Sequence, residues 1–507
     1  MKNDTPALVK SALQDVFERQ HAASRAHAPL PLARRLEALD TLLNGVLQWE
    51  QRLIDALHAD FGNRSSHETQ LLELFPLVDE IRHIKRNLRR WMRPRRTSVN
   101  WQFLPSGGRI LYQPLGVVGV IGAWNYPILL TLSPLANALG AGNHVMIKPS
   151  ELAPATADAI ADMIATLFPE DYVAVVKGGA EVSAAFSALP FDHLFFTGSE
   201  RIGKLVMRAA ADNLTPVTLE LGGKSPALVH ESFPLHVAAD RICSAKFWNG
   251  GQTCVAPDYV LVPRDKADAF VAEARKVIGR RFPQLAASQD YTHMISMAAW
   301  NRMADLVDDA RSKGAEVVQI GADSLRLGQD NRAFPPTLLL GIGESMRVMQ
   351  EEIFGPVLPI VTYTSLDAAL DYINARPRPL ALYYFDRDKA RIDHVLERTV
   401  SGGVTVNDCI FHLPQHNLPF GGVGPSGMGA YHGFDGFVTF SKKKGVLLQH
   451  SLVGSVLGRL ITPPYGRWTD WMVGFLLGRG KRRMSGPAAM PEQGDHIANA
   501  STQKPRM

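Results

Sequence analysis

The sequence predicts an α/β protein of more than one domain. Three observations carry this. From Val117 onward, short apolar runs rich in Val and Ile alternate with stretches of helical periodicity, the pattern of parallel strands joined by crossover helices. The chain has 507 residues, more than one hydrophobic core organises. Apolar residues make up 46% and charged residues 20%, which suits a packed globular chain and not a disordered one.

The elements follow in order. Residues 6–92 place apolar side chains at helical spacing with charged faces, as in LARRLEALDTLLNGVLQWEQRLIDALHADF, and predict helices. The basic cluster Arg89 to Arg96 reads as a solvated helix end and linker. Arg109-Ile110-Leu111-Tyr112 reads as a strand. VVGVIG (117–122) is then a strand and SPLANALGAG (133–142) a helix; HVMIKPS (144–150) is a strand and PATADAIADMIATLF (154–168) a helix. YVAVVKG (172–178) and DHLFFTG (192–198) are strands, RIGKLVMRAAAD (201–212) a helix and PVTLELGG (216–223) a strand. Residues 227–400 repeat the alternation through ALVH, a helix and loop around Cys254, YVLVP, a helix from Asp265, AEVVQIG and LPIVTY. They predict a second α/β domain. TPPYGRWTDWMVGFLLGRGKRR (462–483) combines an apolar face with basic residues. It lies on a membrane surface or packs on the body or a partner subunit, and its shortness favours packing. From Gly486 the composition predicts a disordered tail.

Composition excludes several classes. The N-terminal MKNDTPALVKSALQDVF is broken by acidic and polar residues, so it is not a secretory signal. No apolar run approaches the roughly 18 residues of a membrane span. Three cysteines give no disulfide framework and fit a reducing cytoplasm. A net charge of +5 is small for this length and does not predict nucleic-acid binding. No metal site is expected.

Six segments carry chemistry. Cys254 sits in Phe247-Trp248-Asn249-Gly250-Gly251-Gln252-Thr253-Cys254, a loop in which small residues bring backbone N–H groups close to one thiol. A lone cysteine is more often a small buried hydrophobe, but such a cysteine needs no Gly-Gly-Gln-Thr before it. Asn125, in Trp124-Asn125-Tyr126-Pro127, follows an apolar strand, where α/β proteins place ligands. Its amide suits an oxyanion, or an Asx turn. Lys148 and Glu151 close the next strand; the lysine suits a ribose or phosphate and the carboxylate a ribose hydroxyl. Ser150 there also reads as a helix cap. Gly198, Ser199 and Gly203 form a glycine turn before a helix, suited to a pyrophosphate but lacking the G-x-G-x-x-G spacing. Glu220, before Gly222 and Gly223, is a base if desolvated and an exposed strand-end charge otherwise. Glu352 and Phe354, in Glu351-Glu352-Ile353-Phe354-Gly355-Pro356, again set a carboxylate beside an aromatic and a tight turn.

Taken together and in this order, WNYP, KPSE, ELGGKSP, GQTC and EEIFGP resemble the aldehyde dehydrogenase superfamily, over about residues 20–447. PLGVVGVIGAWNYPILL, GGQTCVAPDYVL and the segment from Ser401 to Leu447 look like its class 3 branch, which handles medium-chain, fatty and aromatic aldehydes. Pro463 to Gly466 (PPYG) is similar to bacterial members of that branch that act on coniferyl aldehyde. The resemblance implies a Rossmann-type NAD-binding domain (1–96 and 113–220), an α/β catalytic domain (221–420) and a small β oligomerisation segment (97–112 and 421–447). An amphipathic extension (448–485) and a tail (486–507) follow.

It also implies roles. Cys254 is the nucleophile, Asn125 an oxyanion donor and Glu220 the base that activates water. Lys148 and Glu352 hold the riboses, where Glu151 reads as a partner for a ribose hydroxyl, Gly198, Ser199 and Gly203 face the pyrophosphate, and Phe354 lies near the nicotinamide. The cofactor is NAD, with NADP accepted as an alternative. The product is a carboxylic acid, made from coniferyl or another aromatic aldehyde, or alternatively from a fatty aldehyde. A homodimer is implied, with at most weak membrane contact by the extension. Cys243 and Cys409 read as structural, and Tyr126, Trp248, Phe411 and Phe420 as an apolar funnel or as plain core packing.

Overall fold

A computed structural model of the chain describes residues 5–26, 29–322 and 332–478. It forms two compact units, one of residues up to Pro94 with Leu111–Lys444, the other of Arg95–Ile110 with Gly445 onward.

The larger unit holds two sheets. The first has six strands, in the order Gly427–Met428, Val217–Glu220, His193–Thr197, Val117–Ile121, His144–Lys148, Val173–Val175. All pair in parallel except Gly427–Met428, which runs antiparallel to its neighbour. Val117–Ile121 and His193–Thr197 are buried along their whole length, which is why they read as unbroken apolar runs. Register aligns the strand ends. Ile121 pairs with Lys148 and Phe196, and Thr197 pairs with Glu220. Asn125, Lys148, Gly198 and Glu220 therefore leave the sheet along one edge, at the carboxyl ends of the strands.

The second sheet has seven strands, ordered Glu316–Gln319, Thr337–Leu340, Val357–Tyr363, Tyr259–Pro263, Pro226–Val229, Ala381–Phe385, Gly403–Val406. Only Glu316–Gln319 is antiparallel to its neighbour. The chain passes from the first sheet to the second within residues 221–225, between Glu220 and Pro226.

Two helices begin where local signals do not place them. The helix expected from Ser133 starts at Leu129, with Pro134 inside it. Its first amides are capped from a distance, since the Glu73 carboxylate accepts from Ile128 N at 2.8 Å and Leu129 N at 3.1 Å. The helix after Lys148 starts at Pro154 and is not capped by Ser150, whose Oγ accepts instead from Leu152 N. Asp60 caps it, accepting from Ala155 N and Thr156 N, both at 2.9 Å.

The segment 421–447 divides between sheets. Gly427 pairs with Glu220 and Met428 with Leu219 in the six-stranded sheet, whereas Ser441–Leu448 joins a three-stranded sheet beside Gly107–Pro114 and Arg95–Thr97. A Cβ on Gly427 would stand 2.2 Å from the Leu219 carbonyl oxygen, so the close pairing needs glycine.

In the smaller unit, Arg95–Thr97 pairs antiparallel with residues 108–110. His450 N donates to Ser106 Oγ at 2.9 Å. The C-terminal extension forms two short helices, Ser451–Ile461 and Arg467–Leu476, with Trp101 edge-on to Phe475. The expected tail from Gly486 lies outside the described residues.

Candidate active site

The Cys254 loop is shaped by its glycines. Asn249, Gly250 and Gly251 take φ of +53°, +59° and +77° in succession. A Cβ on Gly251 would lie 2.3 Å from the Gly355 carbonyl oxygen, so this segment crosses the Phe354-Gly355 turn backbone to backbone. Gln252 pins the loop. Its Nε2 donates to the carbonyls of Asn249 (2.9 Å) and His293 (3.0 Å), and its Oε1 accepts from Ile295 N (2.9 Å).

Asn125 is tied to the same loop. Its Nδ2 donates to the Gln252 carbonyl at 3.1 Å, and its own carbonyl accepts from Asn249 Nδ2 at 2.8 Å. Tyr126 Oη and Thr253 Oγ1 share a hydrogen bond of 2.7 Å. The WNYP and GQTC segments are thus bonded together next to the thiol.

Of the three free cysteines, Cys254 alone is partly exposed; Cys243 and Cys409 are buried. Desolvation pushes the Cys254 thiol up to about 12, and the Glu352 and Glu220 carboxylates add to the shift. Glu220 is not the exposed strand-end charge that its position also allowed. It is 4% exposed, and neither carboxyl oxygen has a hydrogen-bond partner. Burial holds its carboxyl well above the usual carboxylate range. Desolvation therefore makes charge costlier on both the thiol and the carboxyl of this site.

Glu352 packs against the turn after Glu220, where a Cβ on Gly222 would meet its carboxylate at 2.0 Å. Desolvation and the Asp258 charge push Glu352 up to about 8, against the Gly223 amide and the charges of Lys224 and Arg302. Phe354, with φ of +52°, sets its ring 5.4 Å from Trp124, nearly perpendicular.

Lys148 is 1% exposed and donates to Glu151 Oε2 at 2.9 Å and to the Pro149 carbonyl at 3.2 Å. Partial burial, the largest single influence, raises Glu151, but the Lys148 bond, the Glu151 amide and the Lys148 charge together hold the carboxyl below its ordinary value. Lys148 is bonded to Glu151 and not to Glu352. Ser199 caps the helix Glu200–Ala211, accepting from Ile202 N. Gly198 and Gly203 let Phe196 and Leu221 close in, since a Cβ on them would stand 2.5 and 2.8 Å from those side chains.

A buried charge cluster behind Asn125 was missed by sequence reasoning. Arg64 and Glu73 form a fully buried ion pair at 3.0 Å. Arg64 Nη1 donates to the Asn125 carbonyl at 3.1 Å, and its guanidinium stands 5.1 Å from the Tyr126 ring centroid. Glu68 accepts from Asn249 N at 2.6 Å and from Thr292 Oγ1. The segment 64–74 is mostly polar, so its three charges gave no signal that they would be buried. Lys224 also escaped notice. It donates to the carbonyls of Val348 (2.6 Å) and Glu351 (3.1 Å) and to Asp258, clamping the turn after Glu220 to the Glu352 loop.

The expected aromatic funnel separates. Trp248 and Phe411 meet edge-on at 6.2 Å, with Phe411 49% exposed. Tyr126 and Phe420 are buried, the latter stacked on His432. A cavity of about 800 Å³ lies at the opposite, amino ends of the strands, lined by Arg34, Gly116, His144, Tyr172 and Asp192; it contains none of the predicted site residues.

Two largely parallel sheets and a glycine-shaped thiol loop, with a desolvated carboxyl beside it, are the frame of an aldehyde dehydrogenase. The chain belongs to that family, which residues 3–446 match. It is similar to the probable coniferyl aldehyde dehydrogenase of Pseudomonas aeruginosa, 51% identical over 456 residues that cover 90% of this chain and 94% of that protein. Among solved structures it is similar to substrate-bound AldH of Staphylococcus aureus, 36% identical with a TM-score of 0.85, covering 91% of this chain and 99% of that one. It is also similar to an aldehyde dehydrogenase of Mycobacterium tuberculosis complexed with NAD+, 28% identical with a TM-score of 0.77, covering 88% and 91%. The protein is an oxidoreductase that oxidises aldehydes.

Proposed function

We propose that this enzyme oxidises coniferyl aldehyde, or a closely related aromatic aldehyde, to the carboxylic acid, with NAD as cofactor and NADP as an accepted alternative. The substrate reading is supported by the 51% identity to the Pseudomonas aeruginosa protein. The observation that carries the mechanism is the bonding of Asn125 into the Cys254 loop beside an unpartnered Glu220.

Cys254 Sγ, once it has lost its proton, attacks the aldehyde carbon and forms a thiohemiacetal. Asn125 Nδ2 and the Cys254 backbone N–H donate to the oxyanion; losing one such donor typically costs roughly a hundred- to a thousandfold in rate. A bound dinucleotide supplies the hydride acceptor. Glu220 then takes a proton from water, which attacks the resulting thioester and releases the acid and the thiol. The residues present fit the dinucleotide. Thr197 and Glu220 end adjacent strands with buried side-chain oxygens that lack partners, and the Ser199-capped helix opens at the same edge. Lys148, Glu151 and Glu352 would hold its riboses, Gly198, Ser199 and Gly203 its pyrophosphate, and Phe354 would flank the nicotinamide. A carboxylate at Glu151 favours a ribose hydroxyl over a 2′-phosphate, hence NAD.

Free thiols at all three cysteines support a reducing compartment, the cytoplasm. We expect a homodimer, which light scattering of the purified enzyme measures. The substrate test is kcat/KM for coniferaldehyde, benzaldehyde and straight-chain aldehydes, without coenzyme A. Coniferaldehyde should lead, with free acid as product. Preference for long straight chains would make this a fatty aldehyde enzyme, and full turnover by Cys254→Ala would dismiss the thiol mechanism.

A further inference from the structure

The two C-terminal helices present apolar side chains outward. Trp468, Trp471 and Phe475 stand at i, i+3 and i+7 on one helix and are 74%, 65% and 59% exposed. Trp471 stacks on Phe475, and Trp101 meets Phe475 edge-on at 6.2 Å. Val456, Ile461, Tyr465 and Leu477 are exposed as well. Isolated exposed apolar residues need no explanation, but a contiguous aromatic surface marks a place of contact.

The charge on this unit is predominantly positive. Its described residues include Arg95, Arg96, Arg109, Arg459 and Arg467 against one acidic residue, Asp470. The sequence that follows, Arg479-Gly480-Lys481-Arg482-Arg483, adds four more basic residues. A groove of about 510 Å³ between the helices is lined by Val456, Leu460, Pro464 and Trp468, with Arg459 beside them. Such a groove offers an apolar bed and a cation together, which matches a phospholipid. Tryptophan and tyrosine with flanking arginines favour the headgroup region of a bilayer, where an amphipathic ring sits half in water.

We propose that this face docks on an anionic lipid bilayer, with Trp468, Trp471 and Phe475 in the headgroup region and the arginines on lipid phosphates. The helices lie in the plane of the interface. At 11 and 10 residues each is roughly half the length that crosses a hydrocarbon core, and among the described residues no helix is long and apolar enough to span one.

The test is flotation of the purified full-length enzyme with vesicles of phosphatidylcholine, alone or mixed with phosphatidylglycerol. The enzyme should float with the mixed vesicles, less with the neutral ones, and less again at high salt. The triple variant Trp468→Ser, Trp471→Ser, Phe475→Ser should lose at least about tenfold in vesicle partition while oxidising aldehyde in solution at the wild-type rate. A second variant, Arg459→Glu with Arg467→Glu, keeps the aromatics and should lose the preference for phosphatidylglycerol. Absence of flotation with mixed vesicles overturns the proposal, as does flotation of both variants equal to that of the wild type. A subunit count that falls in the triple variant, with no vesicle binding by the wild type, would make the face an interface between copies of this chain instead.

Discussion

Cys254 rests as a thiol. Desolvation and two neighbouring carboxylates hold it near 12, well above the roughly 8.5 of a free cysteine. A raised thiol gains reactivity as pH rises toward its folded value. Alkylation of the ligand-free enzyme by iodoacetamide should therefore keep accelerating through pH 9; a plateau at or below pH 8 would show a thiolate already formed at rest. The Cys254 loop was legible in the sequence because it carries Asn-Gly-Gly, residues that tolerate the three left-handed positions the turn requires. Arg64 was not legible. An arginine in a helical segment reads as solvent-facing, and only distant chain packed around it leaves it 1% exposed beneath Asn125.

Among elements, the strands were easier to read than the helix starts. A buried parallel strand announces itself as a run of Val, Ile and Phe. The helix at Leu129 begins on a carboxylate more than fifty residues earlier, and the helix at Pro154 on Asp60, so no local signal marks either start. The Glu73 carboxylate serves two elements, capping one helix while pairing with Arg64. Removing one partner of a buried pair leaves the other charge uncompensated, at a cost of about 3–5 kcal/mol. Arg64→Ala should lower the stability by that amount in denaturant unfolding, and kcat should fall with it as Asn125 loses a support. A change under about 1 kcal/mol would place the pair among weak surface contacts.

At the scale of the molecule, alternation of strands and helices conveyed the α/β class and the presence of two sheets. It did not convey how residues 421–447 are shared, because a two-residue strand at Gly427–Met428 has no periodicity to read. Both sheets belong to one compact unit, and the Lys224 clamp and the Gly251–Gly355 crossing tie their loops together. Calorimetry should accordingly show one main unfolding transition for the residues of the two sheets; separate transitions would mean that they hold independent cores.

The unpartnered oxygens of Glu220 have a consequence for every pH profile of this enzyme. Glu220 and Cys254 occupy one desolvated space, and charge on either makes charge on the other costlier. An inflection in rate against pH then reports Cys254 together with its carboxylate neighbours, Glu352 first and Glu220 after it. Glu220→Gln would move the ionisation of Cys254 to lower pH, because the repulsion leaves with the carboxylate.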